Sequence, residues 1–400
     1  MTGRRRVLFV DDEVRVVAGL RRMLHTKRRE WDMVFAGSAN EALEHLAQRQ
    51  FDVLVTDLQM PGIDGTELLF TAQKRFPSTV RIVLSGQTMM EGAVGSLGPA
   101  HRFLSKPCPR ATLLAAIQEA CAAQRTLVAD RLKQLVSSLD SLPSQTRALE
   151  ELTLALRESD CSVKVVGELV SRDLGTATKV LQLANSAFFG ARCAVEDPPR
   201  AVAVLGLEVV NALVSAQRVF STFGPDASRV LSLDDVWQHS IDVAGAAQRI
   251  GRLEGMGKRT LGEAFTAGLL HDVGRLILAA HLPDVAEEVT RRAASDGTPE
   301  WQVERELLGA SHAEVGGYLA GLWGLPPAVV TAMTHHHTPE EADNEDSDVL
   351  TLVLVANCLS HGESPSCVDQ LQGHLQRRGL LHRLSAWRGA WRPDPLEESA

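Results

Sequence analysis

Up to about Arg125, five short β-rich runs alternate with helical stretches: Val7–Val10, Asp32–Ala36, Val53–Thr56, Arg81–Ser85 and Arg102–Ser105. Such alternation predicts an α/β fold, a doubly wound five-stranded parallel sheet, because each return of the chain passes through a helix. Ser38 stands three residues before Glu41 at the head of ANEALEHLA, a capping-box spacing that satisfies free amides at a helix start.

From Pro109 to Val136 the apolar positions Leu113, Ile117, Cys121, Leu127, Leu132 and Leu135 fall on helical spacing, which predicts one long helix leaving the first domain. It serves as a connector, or it pairs with a second copy as a short coiled coil and gives a homodimer. SLDSLPSQ then breaks it. After Pro143 the β signals nearly vanish, and runs such as Val163–Arg172, Thr176–Ala184 and Val202–Phe220 predict an all-α half. The expected division is a first domain at 1–122, a linker helix at 123–140, a helical domain at 141–370 and a partly disordered extension at 371–400. Within it, Glu340–Asp348 reads as a solvated acidic loop and Arg392–Ala400 as a disordered tail.

Two domains also suit the length, since 400 residues exceed what one hydrophobic core organises. A net charge of −9 argues against nucleic acid and anionic membrane as partners, because both need a basic surface. The opening MTGRRRVLFVDDE has too short an apolar run for an export signal, and the most apolar tract, Val349–Val355, falls well short of the roughly 20 residues that span a bilayer. A cytoplasmic protein is expected, with its six cysteines as reduced thiols, since no C-x-x-C pair or zinc spacing occurs.

Ligands of a doubly wound sheet collect at the carboxyl ends of its strands. There the sequence delivers Asp11 and Asp12, then Asp57, then Ser85, then Lys106 with Pro107. Three clustered carboxylates repel one another unless a cation joins them, and Mg²⁺ with its preference for oxygen ligands suits Asp11, Asp12 and Asp57. Asp57 is then a carboxylate nucleophile able to accept a phosphoryl group. Lys106 would neutralise charge on the phosphoryl oxygens, and Ser85 would hydrogen-bond them.

VLFVDDE, VTDLQMPGIDG, VLSG and FLSKP together resemble the receiver domain of bacterial two-component response regulators, from residue 5 to about 122. The resemblance implies phosphorylation of Asp57 by a histidine kinase, Mg²⁺ at Asp11, Asp12 and Asp57, and a switch in which Ser85 and Phe103 reorient; Phe103 reads otherwise as a core aromatic. The helix after Ser85 carries Gly92, Gly95 and Gly98, which predicts a loose fourth helix.

In the second half QLANSAFFG, AVAVLGLEVV, WQHS, GLLHDVGRLIL, SHAEVGGYLAGLWGLP and HHHTP follow in order and resemble an HDOD domain. Such domains resemble the HD phosphohydrolases, whose histidines and aspartates hold divalent metal. That likeness places His239, His271 and Asp272 at the first three ligand positions, and His312 with His336 or His337 where two-metal members add more. Asn357 stands where the last aspartate is expected. An amide in place of a carboxylate removes a negative charge from the ligand set, and no GYP signature follows HHHTP. The resemblance therefore implies a vestigial HD-like site, with His271 and Asp272 as a structural hydrogen-bonded pair and a bound divalent metal possible but not favoured.

The expected function is that of a response regulator in a phosphorelay whose HDOD domain signals to an unknown downstream protein by contact, rather than an enzyme. The competing reading is a phosphorylation-controlled metal phosphohydrolase or cyclic-di-GMP phosphodiesterase. A transcription factor is disfavoured, because no helix-turn-helix segment or basic stripe is present.

Overall fold

A computed structural model describes residues 4–86, 99–139, 142–144, 146–157, 161–185, 195, 197–215, 220–222, 230–343, 347–362 and 365–391. All five expected runs are strands: β1 Arg5–Val10, β2 Trp31–Ala36, β3 Val53–Thr56, β4 Val80–Gly86 and β5 Arg102–Lys106. They pair in parallel in the order β2-β1-β3-β4-β5. Alternate strand residues feed opposite faces. Val7, Phe9, Val53 and Val55 pack with Leu20 of α1 (Val14–Met23) and Leu113 of α4 (Arg110–Thr126). Leu8, Val10 and Leu54 pack with Leu46 of α2 (Ala39–Gln48) and Leu68 of α3 (Gly65–Arg75). Ser38 caps α2 by accepting the Glu41 amide at 3.3 Å, while the Glu41 carboxylate takes the Gly37 amide rather than the reciprocal one on Ser38.

The single helix expected from Pro109 to Val136 is two helices. Helix α4 ends at Thr126, Leu127 is extended (φ −112°, ψ 121°), and α5 spans Asp130–Ser137. Leu127 and Leu132 are both buried in the common core, and a straight helix would carry one of them out of it. No glycine or proline marks the break, so the spacing alone could not show it. Neither the 123–140 linker helix nor a coiled coil on it is therefore formed; α5 instead folds back against the helical half.

That half holds α6 Thr146–Arg157, α7 Val163–Val170, α8 Leu174–Ala184, α9 Pro198–Leu205, α10 Leu207–Ser215, α11 Leu233–Leu253, α12 Lys258–Leu270, α13 Val273–His281, α14 Pro283–Asp296, α15 Glu300–Leu308, α16 His312–Leu322, α17 Pro327–His335, α18 Asp348–Ser360, α19 Pro365–Arg377 and α20 Leu384–Trp391. The expected run Val202–Phe220 is divided at Gly206, whose φ of +81° no helix accommodates. Its last residue belongs to β7 (Phe220–Thr222), which pairs in parallel with β6 (Leu142–Ser144), so a two-stranded ladder accompanies the helices.

Residues 371–391 are folded rather than loose: Trp387 is buried and donates its indole N–H to Glu254 at 2.7 Å, alongside Arg383 at 2.6 Å. Glu341 of the acidic stretch is likewise engaged, by Arg305 at 2.7 Å. Arg392–Ala400 and the glycine-bearing segment with Gly92, Gly95 and Gly98 lie outside the described residues. Among the described residues, no helix is long and apolar enough to cross a membrane.

Helix α16 is the centre of the helical half, with every residue buried except Glu314. Neighbours approach it through glycines: a Cβ on Gly274 of α13 would lie 2.0 Å from the His312 carbonyl oxygen, and one on Gly317 would lie 2.0 Å from Thr334 Oγ1 of α17. Gly274→Ala should cost about 1–3 kcal/mol through this overlap; an unchanged urea midpoint for the full chain would show that the two helices do not touch here.

Candidate functional sites

At the carboxyl ends of β1, β3 and β5, Lys106 Nζ lies 2.7 Å from Asp11 Oδ2 and 2.6 Å from Asp57 Oδ2. The ligand atoms of Asp11, Asp12 and Asp57 all fall within 4.8 Å of one another. Asp57 Oδ1 accepts the Leu58 amide at 2.7 Å, which fixes the carboxylate and leaves Oδ2 toward Lys106. Burial opposes the Lys106 charge, but the hydrogen bonds to Asp11 and Asp57 outweigh it and hold the ammonium pKa above its ordinary value. Ser85 ends β4 beside Ser105 of β5, and Phe103 is buried on β5. Five of the six residues expected at this site, Asp11, Asp12, Asp57, Ser85 and Lys106, thus share one end of the sheet, while Phe103 is buried near the start of β5.

The second site forms where α11, α12, α16, α17 and α18 meet. His239, His271 and Asp272 make one group and His312, His336 and His337 another, each with ligand atoms within 4.8 Å. Asp272 sits between them: its carboxylate oxygens lie 3.8 Å from His239 Nε2, 3.5 Å from His271 Nε2, 3.3 Å from His312 Nε2 and 3.7 Å from His336 Nε2. At 3.5 Å, His271 and Asp272 are not the hydrogen-bonded pair that the sequence suggested. Both instead face a shared centre.

Ring orientation follows from the other nitrogens. Nδ1 of His271 is 2.7 Å from the Gly268 carbonyl, and Nδ1 of His336 is 2.8 Å from the Met333 carbonyl. A carbonyl only accepts, so Nδ1 donates and Nε2 of each ring is turned to the centre, that of His271 lying 3.1 Å from His239 Nε2. Histidine ligands of metals are commonly oriented in this way. Among the described residues, His336 Nε2 is buried without a hydrogen-bond partner, as is the Asn357 amide oxygen.

His312 differs. Its Nδ1 lies 2.7 Å from Glu304, and although burial opposes the charge, Glu304 and Asp272 raise its pKa to about 10. Without metal it is an imidazolium between two carboxylates. Burial drives His271 and His337 well below the ordinary imidazole value, aided for both by neighbouring histidines, while Asp272 is held well below the carboxylate range against its own burial by His271, His312 and His336.

Four participants escaped the sequence reading. Arg275 lies 3.4 Å from Asp272 and bonds Glu300 at 2.6 Å; it stands inside HDVGR, so its proximity was legible. His361 lies tilted against His239 at 4.8 Å between ring centres and follows Asn357 by four residues, one helical turn that could have revealed it. Glu304 and Trp301, which stacks on His337 at 5.7 Å, come from a helix with no motif.

Family profiles match the receiver domain at residues 7–118 and the HDOD domain at residues 142–339. An uncharacterized protein of Treponema pallidum (strain Nichols) is 26% identical over 250 residues, 60% of this chain and 46% of that protein. The chain spans less than half the length of the curated relatives it matches. The MmoQ response regulator of Methylococcus capsulatus is similar at 25% identity over 62% of this chain and 98% of its own, with a TM-score of 0.47. A virulence factor of Campylobacter jejuni subsp. jejuni shares the fold at 19% identity and a TM-score of 0.54, over 68% of this chain and all of its own.

Asp272→Ala removes the anion that faces four imidazoles and Arg275. It should destabilise the metal-free chain by about 3–5 kcal/mol, the usual result of leaving buried charge unpaired. Denaturant unfolding of the full chain checks this, and a loss below about 1 kcal/mol would mean that Asp272 does not organise the cluster.

Proposed function

The chain is a response regulator by architecture, a receiver domain followed by an HDOD domain, and from that premise we propose that Asp57 accepts a phosphoryl group from a histidine kinase while the HDOD domain passes the signal to a downstream protein by contact. The observation that carries the first part is Lys106 bridging Asp11 and Asp57 beside Asp12. In this reading Asp57 Oδ2 attacks phosphorus as the phosphohistidine N–P bond breaks. Lys106 offsets charge on the transferred oxygens, and the Ser85 hydroxyl hydrogen-bonds one of them. The clustered carboxylates of Asp11, Asp12 and Asp57 fit Mg²⁺, which when bound supplies further charge neutralisation.

The receiver and HDOD domains are in direct contact through β5 and α4, which supports relay by contact. The HDOD cluster fits a divalent transition metal better than the sequence suggested, because among the described residues His336 Nε2 and the Asn357 oxygen are buried without a hydrogen-bond partner. His239, His271, Asp272, His312, His336 and His337 would hold the ion, with Asn357 contributing a neutral donor. We propose a metal-holding but non-hydrolytic site. The imidazolium of His312 must lose its proton for Nε2 to ligate, so metal affinity should rise with pH up to about 10.

Asp57→Asn should abolish labelling by a small phosphodonor, and persistent labelling would move the acceptor elsewhere. Asn357→Asp restores a carboxylate and should tighten metal binding at least about tenfold, read by competition with a chelating dye. The non-hydrolytic reading is tested by incubating the full chain with Mn²⁺ and either a generic phosphodiester or cyclic-di-GMP. Turnover that Asp272→Ala abolishes would replace it with a regulated hydrolase.

A further inference from the structure

We infer that the His312–Leu322 helix, α16, couples the receiver to the histidine cluster, with Arg102 as the side chain that ties it to the receiver; this rests on the metal reading of the cluster given above. Each end of the helix is held by a different domain's chemistry. At its first residue, the His312 amide and Nδ1 both donate to Glu304 at 2.7 Å, while Nε2 lies 3.3 Å from Asp272 and 3.1 Å from His337 Nε2. At its last turn, Arg102 Nε donates to the Leu322 carbonyl at 3.0 Å and Nη2 to the Gly321 carbonyl. These oxygens belong to the set that a helix end leaves without intrahelical partners.

The same guanidinium is anchored in the receiver, through Nη1 to Glu119 at 2.8 Å and to the Ala116 carbonyl at 3.2 Å on α4. Arg102 opens β5, the strand that continues through Phe103 to Lys106 on Asp57. A second tie parallels the first: Tyr318 of α16 meets Ser137 Oγ at 2.9 Å, and the Ser137 carbonyl accepts from Arg81 of β4, the strand that carries Ser85. Two of the four strands that end at the phosphoryl site therefore hold α16, β5 directly through Arg102 and β4 through Ser137.

The helix cannot absorb a push. Its 11 residues form a rod of roughly 16 Å. Gly316, Gly317 and Gly321 let Val273, Thr334 and Ala123 close to 3.2, 2.0 and 2.8 Å of where a Cβ would stand. Past its end, Gly324 at φ +76° turns the chain so that the Leu325 amide reaches the Ala320 carbonyl, and a Cβ on Gly324 would meet the Arg102 guanidinium at 3.3 Å. Interiors packed this closely transmit displacement between discrete arrangements. A change at Lys106 and Ser85 that shifts Arg102 or Arg81 must therefore move His312 relative to Asp272.

The test is a linkage cycle on the full chain in excess Mg²⁺. Zn²⁺ affinity is measured by chelator competition with and without beryllium fluoride as the phosphoryl mimic, and amide exchange of residues 312–322 is followed in the same samples. We expect beryllium fluoride to change Zn²⁺ affinity at least about fivefold, with the same factor returned on beryllium fluoride affinity. Arg102→Met, and Arg102→Lys as the variant that keeps the charge but not the fork, should bring that factor to near one while each site still binds its own ligand. Zn²⁺ binding that is indifferent to beryllium fluoride, or a factor that survives both substitutions, would overturn the coupling and leave the metal reading intact. Absence of Zn²⁺ binding would sink the metal reading. The coupling then stands if exchange along 312–322 responds to beryllium fluoride in the unmodified chain, and falls if it does not.

Discussion

A carboxylate taken out of water must be surrounded by positive charge or donors, and in this chain Asp272 sets that requirement at the junction of the helical half. Its residue is 4% exposed. Around it converge His239 from α11, His271 at the end of α12, His312 at the start of α16, His336 beyond α17 and Arg275 from α13. Isolated, such an ion would be costly by several kcal/mol. Here His312, charged between Glu304 and Asp272, supplies the counter-ion that a metal would otherwise provide.

The receiver solves the same problem with a lysine. Lys106 lies against Asp11 and Asp57 much as His312 lies against Glu304 and Asp272, one cation shared by two acids. Both sites can therefore exist without metal and both have reason to take one. They differ in access. Of the receiver acids Asp12 is exposed, whereas the His271 and His336 rings are buried and held by carbonyls of their own helices.

The strands were legible because an apolar run closed by an acid or a hydroxyl is a local pattern, and each ran within a residue or two of its observed bounds. The receiver residues were legible for the same reason, since strand ends in one sheet must gather on one side. The cluster's histidines were found through motifs, but Glu304 was not, because its place beside His312 arises from packing of α15 against α16. The break at Leu127 was hidden for a similar reason: helical spacing continues through it, and only the core that buries Leu127 and Leu132 together requires the chain to turn. Even the LWGLP motif acquires its meaning only in three dimensions, as Gly324 turning away from Arg102 while Trp323 lies under Lys179 at 4.4 Å.

That last contact belongs to a wider property of the boundary between the domains. Arg81, Arg102 and Lys179 are all buried there, and the two guanidinium groups are met chiefly by carbonyl oxygens of Pro99, Thr79, Ser137, Ala116, Gly321 and Leu322. Burial lowers Arg81, whose carbonyl partners satisfy its donors without cancelling the charge, to about 9, and moves Arg102 below its ordinary value against the pull of Glu119. An apolar surface of the same size would bind more tightly and would tolerate sliding. Here each carbonyl belongs to one particular helix end, and a displacement by one residue would strip a buried guanidinium of its partners, at about 1–3 kcal/mol for each group left unsatisfied. A boundary of this kind holds one register or gives way to another, and so suits the relay by contact proposed above.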